Sequence, residues 1–156
     1  MFDRLNSHLH EDARHHLPDA LARIETKGRQ FIVEEVDFGQ PIGKTICVAA
    51  RPGDKIVYAK RPKRWGPSRF VLNREPEECS SIVVILKKAE ENGGYVLITA
   101  FIGHLSEPEP WDRRYFNQQA NPAEAAEKSR DFWENHALIW GAEDVIENTV
   151  TTECPW

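Results

Sequence analysis

The sequence has no long apolar run, and this absence excludes an evident membrane-spanning helix. Such a helix needs about 18 or more consecutive apolar residues, whereas the hydrophobic residues here, 40% of 156 positions, are dispersed along the chain. The first residues, MFDRLNSHLHEDARHH, are polar and lack the apolar core of a signal peptide. We therefore expect a cytoplasmic protein with no membrane partner.

Cysteine is scarce as well. The three cysteines, Cys47, Cys79 and Cys154, are too few and too far apart in sequence for a disulfide framework or a CxxC metal knuckle. We expect all three to be reduced thiols.

The common ligand-binding motifs are also missing. The sequence contains no GxGxxG, GxxxxGKS/T, GxSxG or HExxH, which are the patterns that hold dinucleotides, nucleotide phosphates, a nucleophilic serine or zinc. We therefore predict no cofactor and no metal. Two polar clusters offer an alternative, a set of acids and a set of histidines: Glu107, Glu109 and Asp112, and His8, His10, His15 and His16. The acids lie in a Pro-rich segment and the histidines match no zinc spacing, so we interpret both clusters as solvated surface.

Charge is distributed unevenly along the chain. The net charge is -5, from 20 basic and 25 acidic residues. Residues 44–74, however, contain nine basic residues and one acid, Asp54, for a local net charge of +8. One concentrated basic segment in an otherwise acidic protein is typical of a surface that meets a polyanion.

The spacing of apolar residues predicts helices at the N-terminus and strands in the middle. Apolar residues recur every three or four positions from Leu5 to Ile24, which predicts two helices separated near Pro18 within residues 1–28. Residues 31–103 are rich in β-branched residues and predict the sheet. Its strongest strands are SSIVVILKK and YVLITAFIG, which Asn92-Gly93 joins as a hairpin. A turn at 51–54 predicts a second hairpin, between KTICVAA and KIVYAKR.

The last third of the chain predicts an irregular segment, a helix and a tail. Residues 104–120 have no clear period and predict a surface excursion. A helix is expected over 121–141, with Asn121 as its N-cap, Pro122 in its first turn and Gly141 as its stop. An acidic tail follows over 142–156. We thus predict a single α+β domain over 1–156: N-terminal helices, an antiparallel meander of about five to six strands, and a C-terminal helix.

One candidate catalytic residue, Thr99, lies in the last predicted strand, and a second, His104, lies just after it. Strict alternation along Tyr95–Ile102 gives one wholly apolar face and a second face that contains Thr99 among aromatic residues. Thr99 is therefore a candidate for chemistry, although an ordinary β-forming threonine is the alternative. His104 follows directly after this strand and Gly103. An imidazole in such a loop is a candidate general acid or base.

The segment RPKRWGPSR predicts a binding loop. Arg61, Lys63 and Arg64 supply cations for phosphate, and Trp65 supplies a ring on which a base can stack. The alternative is a solvated loop that pairs with the protein's own acidic half.

The order IVYAKR, RFV, SSIVVILKK, YVLITAFIG, preceded by helices, resembles the barnase, EndoU, colicin and RelE-like group of nucleases, especially their short toxin-like domains. The resemblance covers about residues 55–103. It implies a metal-independent ribonuclease that acts on RNA, with a protein inhibitor or antitoxin as a further partner. It also implies that Thr99 is the late-strand hydroxyl and that Lys60, Arg64 and Arg69 are the basic groups. The resemblance further implies an acid/base histidine in the N-terminal helices, for which both His15 and His16 are candidates.

Three hypotheses therefore stand. The first is a small metal-independent ribonuclease with Thr99, His104, Lys60 and Arg69 as catalytic residues. The second is a non-catalytic module that binds nucleic acid or an acidic partner through the loop around Trp65. The third is an interaction protein with an exposed tryptophan patch, made of Trp111, Trp133, Trp140 and Trp156. The alternative is that most of these tryptophans are core anchors. The oligomeric state stays open.

Overall fold

The chain forms a mixed α and β structure, as its sequence predicts. A computed structural model describes residues 8–9, 11–90, 93–141 and 145–156. Residues 1–7 and 10, which include the start of the predicted N-terminal helices, lie outside the described residues, as do 91–92 and 142–144. In the part of the chain that the structure describes, no helix is long and apolar enough to cross a membrane.

The elements alternate between short strands and a few helices. The strands are β1 His8–Leu9, β2 Phe31–Asp37, β3 Gly43–Thr45, β4 Cys47–Ala49, β5 Ile56–Lys60, β6 Pro67–Val71, β7 Glu77–Cys79, β8 Ser81–Lys88, β9 Tyr95–Ile102 and β10 His136–Ile139. The helices are α1 Leu17–Ala22, α2 Arg113–Asn117 and α3 Pro122–Glu134, with single 3-10 turns at Glu11–Ala13 and Glu147–Thr149.

The described residues group into two compact units, where the sequence suggested one domain. The first unit comprises Met1–Thr45 and Glu77–Leu105, and the second comprises Ile46–Pro76 and Ser106–Trp156. The predicted single meander is not confirmed. The described strands instead form a four-stranded sheet of order β1-β9-β8-β2, a two-stranded sheet β3-β7, and a four-stranded sheet of order β4-β10-β6-β5.

The predicted hairpin of β8 and β9 is the centre of the first unit. The two strands pair antiparallel, β2 pairs antiparallel with the other edge of β8, and β1 runs parallel to β9. One face of this sheet packs under Ala13 and Ala20, which are fully buried. The two predicted N-terminal helices are not confirmed. Among the described residues, this part has one short α-helix, α1, which starts next to Pro18, whereas His8–Leu9 form strand β1 and not a helix.

A β-bulge in β9 overturns the strict alternation expected for that strand. Thr99 pairs with Ile85, but Leu97 pairs with Leu86, so Ile98 is an extra residue. Because the extra residue reverses the faces, Leu97 packs on the apolar core on the side of Ala100. Thr99 therefore does not share a face with Leu97, which corrects the face assigned from the sequence.

The predicted helix over 121–141 is wrong in its last part, where the structure has strand β10. The Asn121 side chain caps α3 as expected, accepting from the Glu124 N–H at 3.3 Å, but the helix ends at Glu134. Residues 136–139 then run as a strand between β4 (antiparallel) and β6 (parallel), and three of the four are buried. An apolar run of this length favours a buried strand over a last helical turn because it is covered on both faces.

The predicted hairpin of residues 44–50 with 55–61 is wrong. The turn exists: the Arg51 N–H donates to Asp54 Oδ2 at 2.7 Å. The strands that it joins pair elsewhere, however, β4 with β10 and β5 with β6. Pairing with β10 buries Val48 in the small core of the second unit, which local turn chemistry alone does not reveal.

The C-terminal residues described here pack on strand β5. Thr151 and Tyr58 exchange two backbone hydrogen bonds, of 2.8 and 2.7 Å. The Trp156 ring meets the Tyr58 ring edge-on, with 5.2 Å between centroids. Burial raises the pKa of the Tyr58 hydroxyl to about 12. The described part of the predicted tail is therefore part of the folded second unit.

Candidate functional site

The basic loop joins two paired strands of the second unit. Lys60 at the end of β5 pairs with Pro67 at the start of β6. Between them, residues 61–66 turn the chain, with a backbone hydrogen bond from the Arg64 N–H to the Arg61 carbonyl. Lys63 adopts the left-handed conformation, at φ 65°. The loop presents its central side chains to solvent, and Trp65 is 76% exposed.

Arg61 differs from its neighbours because it is buried. It is 8% exposed, and its Nη2 donates to Glu109 Oε1 at 3.2 Å. Its Nε donates to the Ser68 hydroxyl at 3.0 Å, and that hydroxyl donates to the same Glu109 oxygen. The Arg61 guanidinium, predicted from the sequence to bind substrate, is thus held by the protein's own carboxylate.

Trp111 completes this buried network and fixes the end of the loop. Its indole N–H donates to Glu109 Oε2 at 2.7 Å, so both carboxylate oxygens are used. A Cβ added to Gly66 would lie 2.2 Å from the Trp111 ring. Only glycine permits the loop backbone to approach the indole this closely. The loop is therefore anchored at both ends, by Arg61 and by Gly66.

Helix α2 adds cations to the exposed side of the loop. Asp112 caps the helix by accepting from the Tyr115 N–H at 3.2 Å. The Arg114 guanidinium lies 5.7 Å from the centroid of the Trp65 ring, within range of a cation–π interaction. We call the exposed residues of this region the basic aromatic surface: Lys63, Arg64, Trp65, Arg113, Arg114 and Tyr115. The second half of this surface was not predicted from the sequence, although DRRYF carries the same mixture of cations and aromatic residues as the loop.

The two basic candidates for catalysis lie on the strands of the same unit. The Lys60 backbone is fixed by Thr149, whose hydroxyl accepts from the Lys60 N–H at 2.9 Å. Arg69 stands opposite Tyr58 on β6, and its Nη1 donates to the Trp133 carbonyl. Its buried Nε has no hydrogen-bond partner among the described residues.

The other two catalytic candidates belong to the first unit. Thr99 is half-buried in β9, next to β1. His104 follows the strand with its side chain 59% exposed, and its Nδ1 lies 3.0 Å from Glu35 Oε2. The four candidates are thus divided between the two units. Glu35 has no motif around it in the sequence, so nothing local could have identified it as the partner of His104.

The described residues give little support to the two alternatives raised from the sequence, metal binding by polar clusters and an exposed tryptophan patch. Among the described residues, no group of three His, Cys, Asp or Glu side chains could hold a metal ion. Glu109 of the acidic cluster forms a buried ion pair with Arg61. The four tryptophans of the interaction hypothesis are all buried or half-buried, with Trp133 only 3% exposed. Trp65 is instead the strongly exposed one.

No protein-family model, no curated protein and no solved structure matches this chain.

Proposed function

We propose that the protein binds single-stranded nucleic acid, RNA in particular, through the basic aromatic surface. The observation that carries this proposal is an indole, Trp65, that is 76% exposed beside a guanidinium on a loop held by a buried network. Exposed tryptophan is uncommon in a region that has a packed core nearby, and an exposed ring among cations is what unpaired bases and phosphates require.

The buried network supports the proposal because it makes the surface rigid. Arg61, Glu109 and Trp111 satisfy one another inside the second unit, so the loop does not lose much freedom when a ligand binds. The exposed cations Lys63, Arg64, Arg113 and Arg114 are then available to phosphate, and the ring of Trp65 to a base.

Trp65→Ala is expected to weaken the binding of a fluorescein-labelled single-stranded RNA by about tenfold. Stacking of one base on an aromatic side chain is worth ~1–3 kcal/mol. Fluorescence anisotropy at fixed salt measures the effect. Leu72→Ala is a matched control, since Leu72 is an exposed apolar residue of the same unit at 43% exposure, away from the basic loop. Equal affinity of Trp65→Ala and wild type would contradict the stacking role.

The cations are expected to determine how binding depends on salt. Each phosphate contact removed reduces the slope of log K against log salt by about 0.7 for a single strand. The double variant Lys63→Ala with Arg64→Ala should therefore reduce the slope by about 1.4, whereas Trp65→Ala should leave the slope unchanged. RNA binding that does not respond to salt would overturn the proposal and favour an acidic protein as the partner of this surface.

A metal-independent ribonuclease is the second candidate, and the pair His104–Glu35 favours it. A carboxylate 3.0 Å from Nδ1 orients an exposed imidazole, which can then move protons during attack of a 2′-hydroxyl on its own phosphodiester. The resemblance of residues 55–103 to the nuclease group also motivates this candidate, with Thr99 of the same unit as a further catalytic group. Lys60 and Arg69 belong to the second unit and are left out of this site. An acidic protein inhibitor would bind the exposed cations of the basic aromatic surface.

Cleavage of single-stranded RNA in EDTA tests this second candidate. His104→Ala and Thr99→Ala are each expected to reduce the rate at least tenfold, measured as products on a denaturing gel. His136→Ala is the matched control, because His136 instead faces the Phe132 carbonyl, with its Nδ1 at 2.8 Å. Full activity in both His104→Ala and Thr99→Ala would exclude the assignment, and RNA that is bound but not cleaved would leave binding as the function.

A further inference from the structure

A thiol, an imidazole and a carboxylate form a continuous chain in the first unit. Cys79 Sγ lies 3.6 Å from His104 Nε2, and His104 Nδ1 lies 3.0 Å from Glu35 Oε2. The three residues come from β7, from the loop after β9, and from β2. Neither the nucleic-acid surface nor the ribonuclease candidate uses Cys79.

The hydrogen bonds determine which ring nitrogen of His104 carries the proton. An ionised carboxylate only accepts, so Nδ1 carries hydrogen and donates to Glu35. In the neutral imidazole, Nε2 is then the acceptor, and it faces the sulfur of Cys79. The arrangement is therefore oriented to take a proton from the thiol, which is how a base activates a cysteine nucleophile.

The backbone on both sides of His104 is anchored. The Gly103 N–H donates to the Ser81 carbonyl at 3.0 Å, and the Leu105 N–H donates to Glu35 Oε1 at 2.7 Å. Gly103 has φ +152°, a conformation that other residues rarely adopt. Glu35 thus holds both the ring of His104 and the residue after it, and it acts as a positioning residue.

The sulfur of Cys79 has a donor aimed at it and little access to solvent. The Ser81 N–H donates to Sγ at 3.5 Å and favours negative charge on the sulfur. The Ser81 carbonyl also lies 3.6 Å from Sγ, so the thiol proton has two acceptors, this carbonyl and His104 Nε2. Cys79 is 4% exposed. We therefore expect a small reagent to reach the sulfur more readily than a bulky disulfide.

We propose that Cys79 is a peroxide-reactive thiol, with His104 as its base and a small hydroperoxide as its substrate. The thiol proton passes to His104 Nε2, and the thiolate attacks the nearer peroxide oxygen. A sulfur–oxygen bond forms as the oxygen–oxygen bond breaks. The departing hydroxide, or the alkoxide of an alkyl hydroperoxide, takes the proton from His104 and leaves as water or as an alcohol. Cysteine is oxidised to sulfenic acid and the peroxide is reduced, so electrons balance.

Hydrogen peroxide tests this proposal. After the peroxide is removed, the protein is unfolded in urea, the sulfenic acids are labelled with dimedone, and the oxidation of each cysteine is measured by peptide mass spectrometry. The other two cysteines are internal controls. Burial, together with the charge of Glu109, raises the pKa of the Cys47 thiol to about 11, so Cys47 stays protonated and unreactive near neutral pH. Cys154 is exposed. We expect Cys79 to be oxidised at least tenfold faster than either of them, while the bulky reagent DTNB reacts with Cys154 only.

Variants of His104 and Glu35 test whether these two residues activate the Cys79 thiol or only lie near it. His104→Gly should slow oxidation of Cys79 at least tenfold, and added imidazole should restore a large part of the rate. Glu35→Ala should slow it several-fold, and Glu35→Gln, which keeps a hydrogen-bond acceptor, should retain most of the rate. Cys79→Ser leaves His104 and Glu35 in place, so RNA cleavage by that variant reports on the ribonuclease candidate independently.

A comparison of native and urea-unfolded wild-type protein keeps the test valid if a variant does not fold. An activated thiol reacts faster in the native state than in the unfolded chain, whereas a thiol that is only buried reacts more slowly. Faster native oxidation of Cys79 supports the proposal. Slower native oxidation, or a rate that is the same in folded His104→Gly and wild type, overturns it.

Discussion

Glu109→Ala is expected to lower the free energy of unfolding of the second unit by ~3–5 kcal/mol, because it leaves a buried guanidinium without its counter-charge. Glu109 is 9% exposed, and its two oxygens accept from Arg61, Ser68 and Trp111. Its removal leaves three donors to find new partners in a region with little access to water.

Urea unfolding followed by tryptophan fluorescence measures this loss. All five tryptophans of the sequence belong to the second unit, so the signal reports on that unit. Glu109→Gln keeps an acceptor and should cost less than Glu109→Ala. Lys128→Ala removes an exposed ion pair with Glu124 and should cost under about 0.5 kcal/mol. A Glu109→Ala value as small as that of Lys128→Ala would show that the network contributes nothing to stability.

Trp133→Ala is the second substitution with a large expected effect, again ~3–5 kcal/mol of unfolding free energy. Trp133 is 3% exposed and packs in the core cluster with Phe70, Val57 and Leu138. Its ring N–H also lies 3.0 and 3.2 Å from the carbonyls of Glu107 and Pro108. Truncation therefore leaves a cavity and removes the indole donor from both carbonyls, of which only that of Pro108 keeps another donor among the described residues, the Ser129 hydroxyl.

Trp133→Phe separates the two contributions. Phenylalanine fills much of the same volume but has no N–H, so its cost of ~1–3 kcal/mol reports mainly on the lost hydrogen bond. The Ser129 hydroxyl donates to the same Pro108 carbonyl at 2.6 Å and should limit that cost. The same urea titration serves for both variants. A Phe variant as unstable as the Ala variant would mean that the hydrogen bond, and not packing, dominates at this position.

The parts of the fold that depend on neighbours in sequence were predictable. The β8–β9 hairpin and the Asn121 cap follow from short patterns, and the structure contains both. The bulge at Ile98 was not predictable, because one extra residue in a β-branched run leaves no mark in composition. Strand β10 was misread because His136 and Trp140 continue the helical spacing of α3, and only its position between β4 and β6 makes it a strand.

The candidate site shows the same limit. The exposure of Lys63, Arg64 and Trp65 agrees with a loop predicted from Pro and Gly, and their role in binding stays a prediction. Arg61, two residues before Lys63, is buried because it pairs with Glu109, which lies 48 residues later in the sequence. Charge density along a sequence therefore indicates where cations are concentrated, while distant carboxylates decide which of those cations remain available.

The position of β10 in its sheet has a consequence for how the chain folds as it leaves the ribosome. Strands β4 and β6 both pair with β10, which is translated about 65 residues after β6. Because translation proceeds at roughly 5 to 20 residues per second, the edge of β6 that pairs with β10 stays unpaired for on the order of 3 to 13 s. The second unit is thus exposed to edge-to-edge aggregation during synthesis, and slowing translation after Val71 should reduce its soluble yield.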